Sequence, residues 1–209
     1  MLKQKVFAPN TQIFIIGLLL IMFGFTAWVA RYSATLDGFE LTVFNYFYNA
    51  SDNLWLIALT VTQLGSIWFL VLLIGMFFVV KRRPDPALRV MRAGVLTFGA
   101  AVVAKSLVGR PRPSYLLENV VLREVGVRGL GFPSAHTALA TAVSLTLLPY
   151  LPRKWRWLPI PWIGLVAWSR LYLGAHTPLD ILGGFLLGLL VAICASYIPW
   201  WGVENRSNR

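Results

Sequence analysis

The apolar residues of this chain are gathered into blocks about as long as a helix needs to cross a bilayer, roughly 20 residues. Of the 209 residues, 57% are hydrophobic and 13% are charged, against about 25% charged in a soluble domain. That deficit makes lipid the expected solvent and an all-α helix bundle the expected fold. Six spans are expected, at about 12–30, 54–80, 88–108, 134–150, 158–173 and 178–200, in a single membrane domain covering 1–209. Lys3 and Lys5 precede the first block as they would in a signal peptide. Its apolar stretch exceeds the usual length of about 7–15 residues and no small-residue cleavage site follows, so it is expected to stay as the first helix. Between the first two spans, the aromatic stretch Phe39 to Tyr48 predicts a short helix lying at the interface.

A formal net charge of +11 raises nucleic acid as a partner. The charges are not clustered on a soluble face but flank the apolar blocks, which is the pattern of membrane orientation and excludes nucleic-acid binding as the expected function. With the N-terminus in the cytoplasm, Lys3, Lys5, Lys81, Arg82, Arg83, Arg89, Arg92, Arg153, Lys154, Arg156, Arg206 and Arg209 fall inside, 12 of the 19 Lys and Arg. Both termini are therefore expected in the cytoplasm. Trp28, Trp55, Trp155, Trp157, Trp200 and Trp201 lie near span ends as interfacial anchors. The lone Cys194 rules out an intrachain disulfide and, in its apolar run, is expected to be a small buried residue. Gly184 and Gly188 fit the small-xxx-small pattern, and close packing within the monomer is expected of them.

This topology turns the end of span three, the start of span four, the end of span five and the start of span six to one side. The polar motifs lie at those four ends. The first is Lys105-Ser-Leu-Val-Gly-Arg110-Pro111-Arg112-Pro113. Arg binds phosphate with two parallel donors and Lys supplies a point charge, although a juxtamembrane basic cluster meeting lipid headgroups would look the same. The second is Gly131-Phe132-Pro133-Ser134-Ala135-His136. Ser134 fits the N-cap of span four, and the free N–H groups of a helix start attract anions. His136, in that first turn, can protonate a departing oxygen; a simple capped helix with an interfacial His is the competing explanation. The third joins Ser169-Arg170 to His176, Thr177, Pro178 and Asp180. Thr177 fits a cap and Pro178 the first helical position. Asp180 then falls near His176, where a carboxylate can fix the tautomer and direct the other ring nitrogen outward. The chain has two histidines and each sits in one of these motifs.

With three motifs converging, the chain resembles the type-2 phosphatidic acid phosphatase superfamily, also called lipid phosphate phosphatases. The signature of that superfamily is Lys-x6-Arg-Pro, then Pro-Ser-Gly-His, then Ser-Arg-x5-His-x3-Asp. Lys105 through Pro113 matches the first and Ser169 through Asp180 the third. The second matches at Pro133, Ser134 and His136, with Ala135 where Gly is usual. At a position of positive φ an Ala would be strained; at the first helical position it is harmless, and that geometry is expected. The resemblance implies a six-span membrane enzyme with no metal and no cofactor. Its implied catalytic residues are His176 as nucleophile forming a phosphohistidine, Asp180 orienting it, and His136 as general acid. Its implied phosphate ligands are Lys105, Arg112, Arg170, Ser134 and the Ala135 N–H. The sequence places no carboxylate cluster of the kind a magnesium site requires near the motifs.

The implied substrate is a lipid phosphomonoester or diphosphate reached from the extracytoplasmic side of the cell membrane. Undecaprenyl pyrophosphate, phosphatidate, phosphatidylglycerol phosphate and phosphorylated lipid A are all open. So is transfer of the phosphoryl group to another lipid or sugar, and so is an inactive relative that binds or moves a phospholipid. In the loop 114–132, Arg123 or Arg128 can choose the headgroup, or both can be solvated charges.

Overall fold

Proline opens five of the helices, because it lacks the N–H that a first turn leaves unpaired and its φ is already helical. The computed structural model describes residues 9–32, 38–80, 82, 84–126 and 129–197, and every regular element among them is helical. The α-helices are α1 (Pro9–Tyr32), α2 (Gly38–Tyr48), α3 (Trp55–Thr62), α4 (Ile67–Gly75), α5 (Pro84–Val108), α6 (Pro113–Leu116), α7 (Ala135–Leu147), α8 (Pro159–Tyr172) and α9 (Pro178–Tyr197). Helix α5 starts earlier than expected because Pro84 and Pro86 both fit within its first turn. Lys3, Lys5, Lys81, Arg83, Arg128, Trp200, Trp201, Arg206 and Arg209 lie outside the described residues.

Three helical segments are long and apolar enough to cross a membrane: Asn10–Tyr32, Pro84–Leu116 and Pro178–Ser196. A fourth, expected as one span over 54–80, is broken: Trp55–Gly65 and Ile67–Val79 meet at 58°. The break is written into the chain at Ser66, whose extended backbone leaves the helix while its hydroxyl accepts the Phe69 N–H and starts α4. Helices α7 and α8 have 13 and 14 residues, short of the roughly 20 that a perpendicular crossing needs; α7 continues as a 3-10 turn, Leu148–Tyr150.

Helix α7 is the central post, with every residue from Thr137 to Ser144 buried, and α5, α8 and α9 packed around it. The closest approach is to α9. A Cβ on Gly184 would meet the Ser134 carbonyl oxygen, and one on Gly188 would meet the Ala138 carbonyl and Thr141. The glycine pair is thus a seam inside the monomer. Helix α1 leans on α9 and exposes Ile13, Phe14, Ile21 and Phe25, an outward surface suited to lipid. Cys194 corrects its expectation: it is exposed on α9, because a helix bathed in lipid can be apolar on faces that no protein covers. Trp28, Trp55, Trp155 and Trp157 are exposed. On α2, Glu40, Phe44 and Tyr48 form a buried stripe at four-residue spacing while Phe39 and Tyr46 face out.

The ends of the helices sort into two poles. One gathers Arg89, Arg92, Tyr150 and Ala195 around a small cavity. The other gathers the end of α5, the start of α7, the end of α8 and the start of α9, which carry the three polar motifs.

Candidate active site

Two glycines aim the motif residues. Gly109 ends α5 with φ +70° and its N–H returns to the Lys105 carbonyl at 2.9 Å. Gly174 follows α8 with φ +68°, and the Ala175 and His176 N–H groups fold back onto the Arg170 carbonyl at 3.1 and 3.3 Å. Glycine enters this left-handed region without the Cβ clash that other residues meet. The turns send Arg110 and Arg112 off one helix and His176 off the other, toward each other.

His176 is buried, 2% exposed. Its Nδ1 lies 3.3 Å from Asp180 Oδ2, and Arg112 Nη1 lies 3.4 Å from its Nε2. Hydrogen-bond partners assign the tautomer: Nδ1–H donates to the carboxylate, and Nε2 keeps its lone pair. Burial, then the positive charges of Arg112, Lys105 and Arg170, push the imidazole well below the ordinary histidine range. A neutral ring with an oriented lone pair among cations suits attack on an anion.

Asp180 is held from several sides. Its Oδ2 accepts the Thr177 N–H at 3.0 Å, and its own N–H donates to Thr177 Oγ1 at 3.4 Å, a reciprocal cap of α9. Arg110 Nη1 approaches Oδ1 at 3.4 Å. Asp180 is 0% exposed, so its partners substitute for water.

The other sequence-picked residues surround this pair. Lys105 Nζ donates to the carbonyls of Leu130 and Gly131 at 2.8 and 2.9 Å. Arg112 Nη1 donates to the Ala175 carbonyl at 2.7 Å. Arg170 Nη1 donates to Thr62 Oγ1 at 2.6 Å and pairs with Glu124 Oε2 at 2.5 Å, while its buried Nε has no partner among the described residues. Ser134 caps α7 by accepting from the Thr137 N–H at 3.4 Å and the Thr137 hydroxyl at 3.1 Å, which leaves its own hydroxyl hydrogen to donate. Ala135 is the first residue of α7, and Arg82 alone among described non-glycine residues has positive φ. His136 is half-buried one residue further along, with Arg170, His176, Arg112 and Lys105 as its electrostatic neighbours. Gly65, at the break between α3 and α4, packs against the His136 backbone. Among the described residues no group of three His, Cys, Asp or Glu side chains forms a metal-binding cluster.

Three charged residues outside the motifs make contacts around the site. Arg123 is half-buried: its guanidinium lies over the Tyr48 and Tyr172 rings at 4.3 and 4.7 Å and donates to both of their carbonyls. Glu40 pairs with Arg110 at 2.8 Å and Glu124 pairs with Arg170, and neither acid belongs to a motif. The signal that could have flagged them is scarcity, since the chain has 8 acidic residues and few stand beside apolar stretches.

Comparison with known proteins gives this geometry a setting. A family model described as the PAP2 superfamily matches residues 87–204. Over 133 residues the chain is 34% identical to mouse sphingosine-1-phosphate phosphatase 2, covering 58% of this chain and 36% of that protein. Over 167 residues it is 26% identical to an undecaprenyl-diphosphatase of Sulfolobus acidocaldarius, covering 79% of this chain and 81% of the relative. The chain thus spans about a third of the mouse protein and four fifths of the archaeal one. The crystal structure of a transmembrane PAP2-type phosphatidylglycerolphosphate phosphatase from Bacillus subtilis superposes with a TM-score of 0.71 at 26% identity, covering 87% of this chain and 94% of that one.

Proposed function

Because the chain belongs to the PAP2 superfamily, we propose that it is a membrane lipid phosphatase whose His176 takes the phosphoryl group from a lipid phosphomonoester or diphosphate. The observation that carries this proposal is the pairing of the two ring nitrogens of His176: Asp180 holds Nδ1, and Arg112 stands at Nε2 where phosphate would bind.

In the first step a bond forms between Nε2 and phosphorus while the bond from phosphorus to the lipid oxygen breaks. His136 gives its proton to that oxygen. The phosphoimidazolium carries a positive charge, which Asp180 offsets. Lys105, Arg112 and Arg170, with the Ser134 hydroxyl and the Ala135 N–H, face the phosphoryl oxygens as their charge shifts. In the second step His136, now neutral, draws a proton from water, and the water oxygen displaces His176 from phosphorus. Inorganic phosphate leaves and the enzyme is restored.

The relatives act, by their names, on sphingosine-1-phosphate, undecaprenyl diphosphate and phosphatidylglycerolphosphate, which share a phosphate on a long apolar tail. Phosphatidate, phosphatidylglycerol phosphate, undecaprenyl pyrophosphate and phosphorylated lipid A are the candidate substrates. We place the chain as one unit of six spans in the cell membrane, with both termini in the cytoplasm and the phosphate site on the extracytoplasmic face. The basic residues at the pole opposite the site support this orientation.

The test is phosphate release by purified protein in detergent from a panel of these lipids and sphingosine-1-phosphate. At least one is expected to turn over, and His176→Ala is expected to abolish both turnover and acid-labile covalent phosphate. Equal release by wild type and His176→Ala would overturn the proposal.

A further inference from the structure

We propose that Glu40 of α2 is a positioning residue for His176, acting through Arg110 and Asp180; the proposal rests on His176 being the nucleophile. Four side chains stand in a row from the bundle wall to the reacting nitrogen. Glu40 holds Arg110 with two hydrogen bonds, Oε2 accepting from Nη2 at 2.8 Å and Oε1 from Nη1 at 3.1 Å. Arg110 Nη1 also donates to Thr177 Oγ1 at 2.9 Å and faces Asp180 Oδ1 at 3.4 Å. Asp180 Oδ2 faces His176 Nδ1 at 3.3 Å. Glu40 Oε1 accepts in addition the Leu179 N–H at 3.1 Å, one of the open donors of the first turn of α9. One carboxylate from α2 therefore fixes both the cation beside Asp180 and the helix start that carries Asp180.

The arrangement separates Arg110 from the phosphate-binding cations. Both of its terminal nitrogens are committed to carboxylates, and its side chain is 0% exposed. Glu40 and Arg110 are 70 residues apart, and a buried pair recovers little more than the cost of taking its charges out of water. What it supplies here is charge balance. Without Glu40, the buried Arg110 charge would pull on Asp180 alone and compete with the imidazolium that phosphorylation creates. With Glu40, Arg110 holds Asp180 in place while the negative charge of Asp180 stays available to His176. Glu40 lies outside residues 87–204, the segment matched by the family model.

Orthovanadate, a phosphate analogue that bonds to a histidine nitrogen in such a site, tests this without knowledge of the lipid. Its dissociation constant is measured on the purified full-length protein in detergent. Wild type is expected to bind and His176→Ala to lose binding. Glu40→Gln, which keeps the shape and removes the charge, is expected to weaken binding about tenfold, as contacting charged groups couple. Glu40→Asp is expected to restore most of it. In an Asp180→Asn background, Glu40→Gln is expected to cost almost nothing more. Arg110→Lys gives the same pattern through the other half of the pair if Glu40→Gln fails to fold. An equal cost of Glu40→Gln with and without Asp180 would overturn the positioning role while leaving the phosphatase proposal standing. Absence of His176-dependent vanadate binding in wild type would overturn both.

Discussion

At the scale of the residue, the site is a cluster of cations already partly neutralised by the protein itself. Arg170 is held by Glu124 at 2.5 Å, so a phosphate arriving at Arg170 must share it with a carboxylate. Glu124→Gln removes that competitor and keeps a hydrogen-bonding group. Inorganic phosphate is then expected to inhibit at about tenfold lower concentration, a gain of about 1.4 kcal/mol; an inhibition constant that rises would mean that Glu124 serves to hold Arg170 in position. The spacing of Lys105, Arg112, His136, Arg170, His176 and Asp180 along the chain is enough to pick out this cluster, since each residue lies in a motif at a helix end. Glu40 and Glu124 are not visible that way, because their partners are distant in the chain and no local pattern records the pairing.

At the scale of the element, helix starts and stops carry the geometry. Ser134 and Thr177 cap α7 and α9, Gly109 and Gly174 turn the chain after α5 and α8, and these four points aim the proposed reacting groups. The starts of α7 and α9 meet because Gly184 admits the Ser134 carbonyl where a Cβ would collide with backbone. Gly184→Ala is therefore expected to lower stability by about 1–3 kcal/mol, as overpacking does, and to reduce kcat more than it raises KM, since Ser134 N also donates to the Asp180 carbonyl at 2.9 Å. Thermal unfolding in detergent and steady-state kinetics check both parts; an unchanged midpoint would show that the seam can open freely. The break between α3 and α4 is the element that apolar patterning misses. A run of hydrophobic residues reports that a segment prefers lipid and is silent on a bend, which here depends on one serine cap.

At the scale of the whole molecule, Arg89 and Arg92 stand at the pole opposite the candidate site. The proposed orientation makes Glu118, exposed in the loop after α6, accessible from outside, and Lys154, exposed in the turn before α8, accessible from the cytoplasm. In a Cys194→Ala background, a membrane-impermeant maleimide added to intact cells is expected to label Glu118→Cys and not Lys154→Cys; the reverse pattern would invert the topology. Hydropathy blocks, basic flanks and the three motifs determined by themselves an all-helical membrane protein of this superfamily, because lipid rewards apolar length and the chemistry demands particular side chains at set spacings. The tertiary structure alone decided that Arg123 is a clamp between two tyrosines, that Cys194 faces outward, that the apolar segment over 55–79 is bent, and that Glu40 stands behind Arg110 and Asp180. Those outcomes depend on which helix faces meet in space, and a charge pair closed across 70 residues leaves no periodicity in the sequence to find.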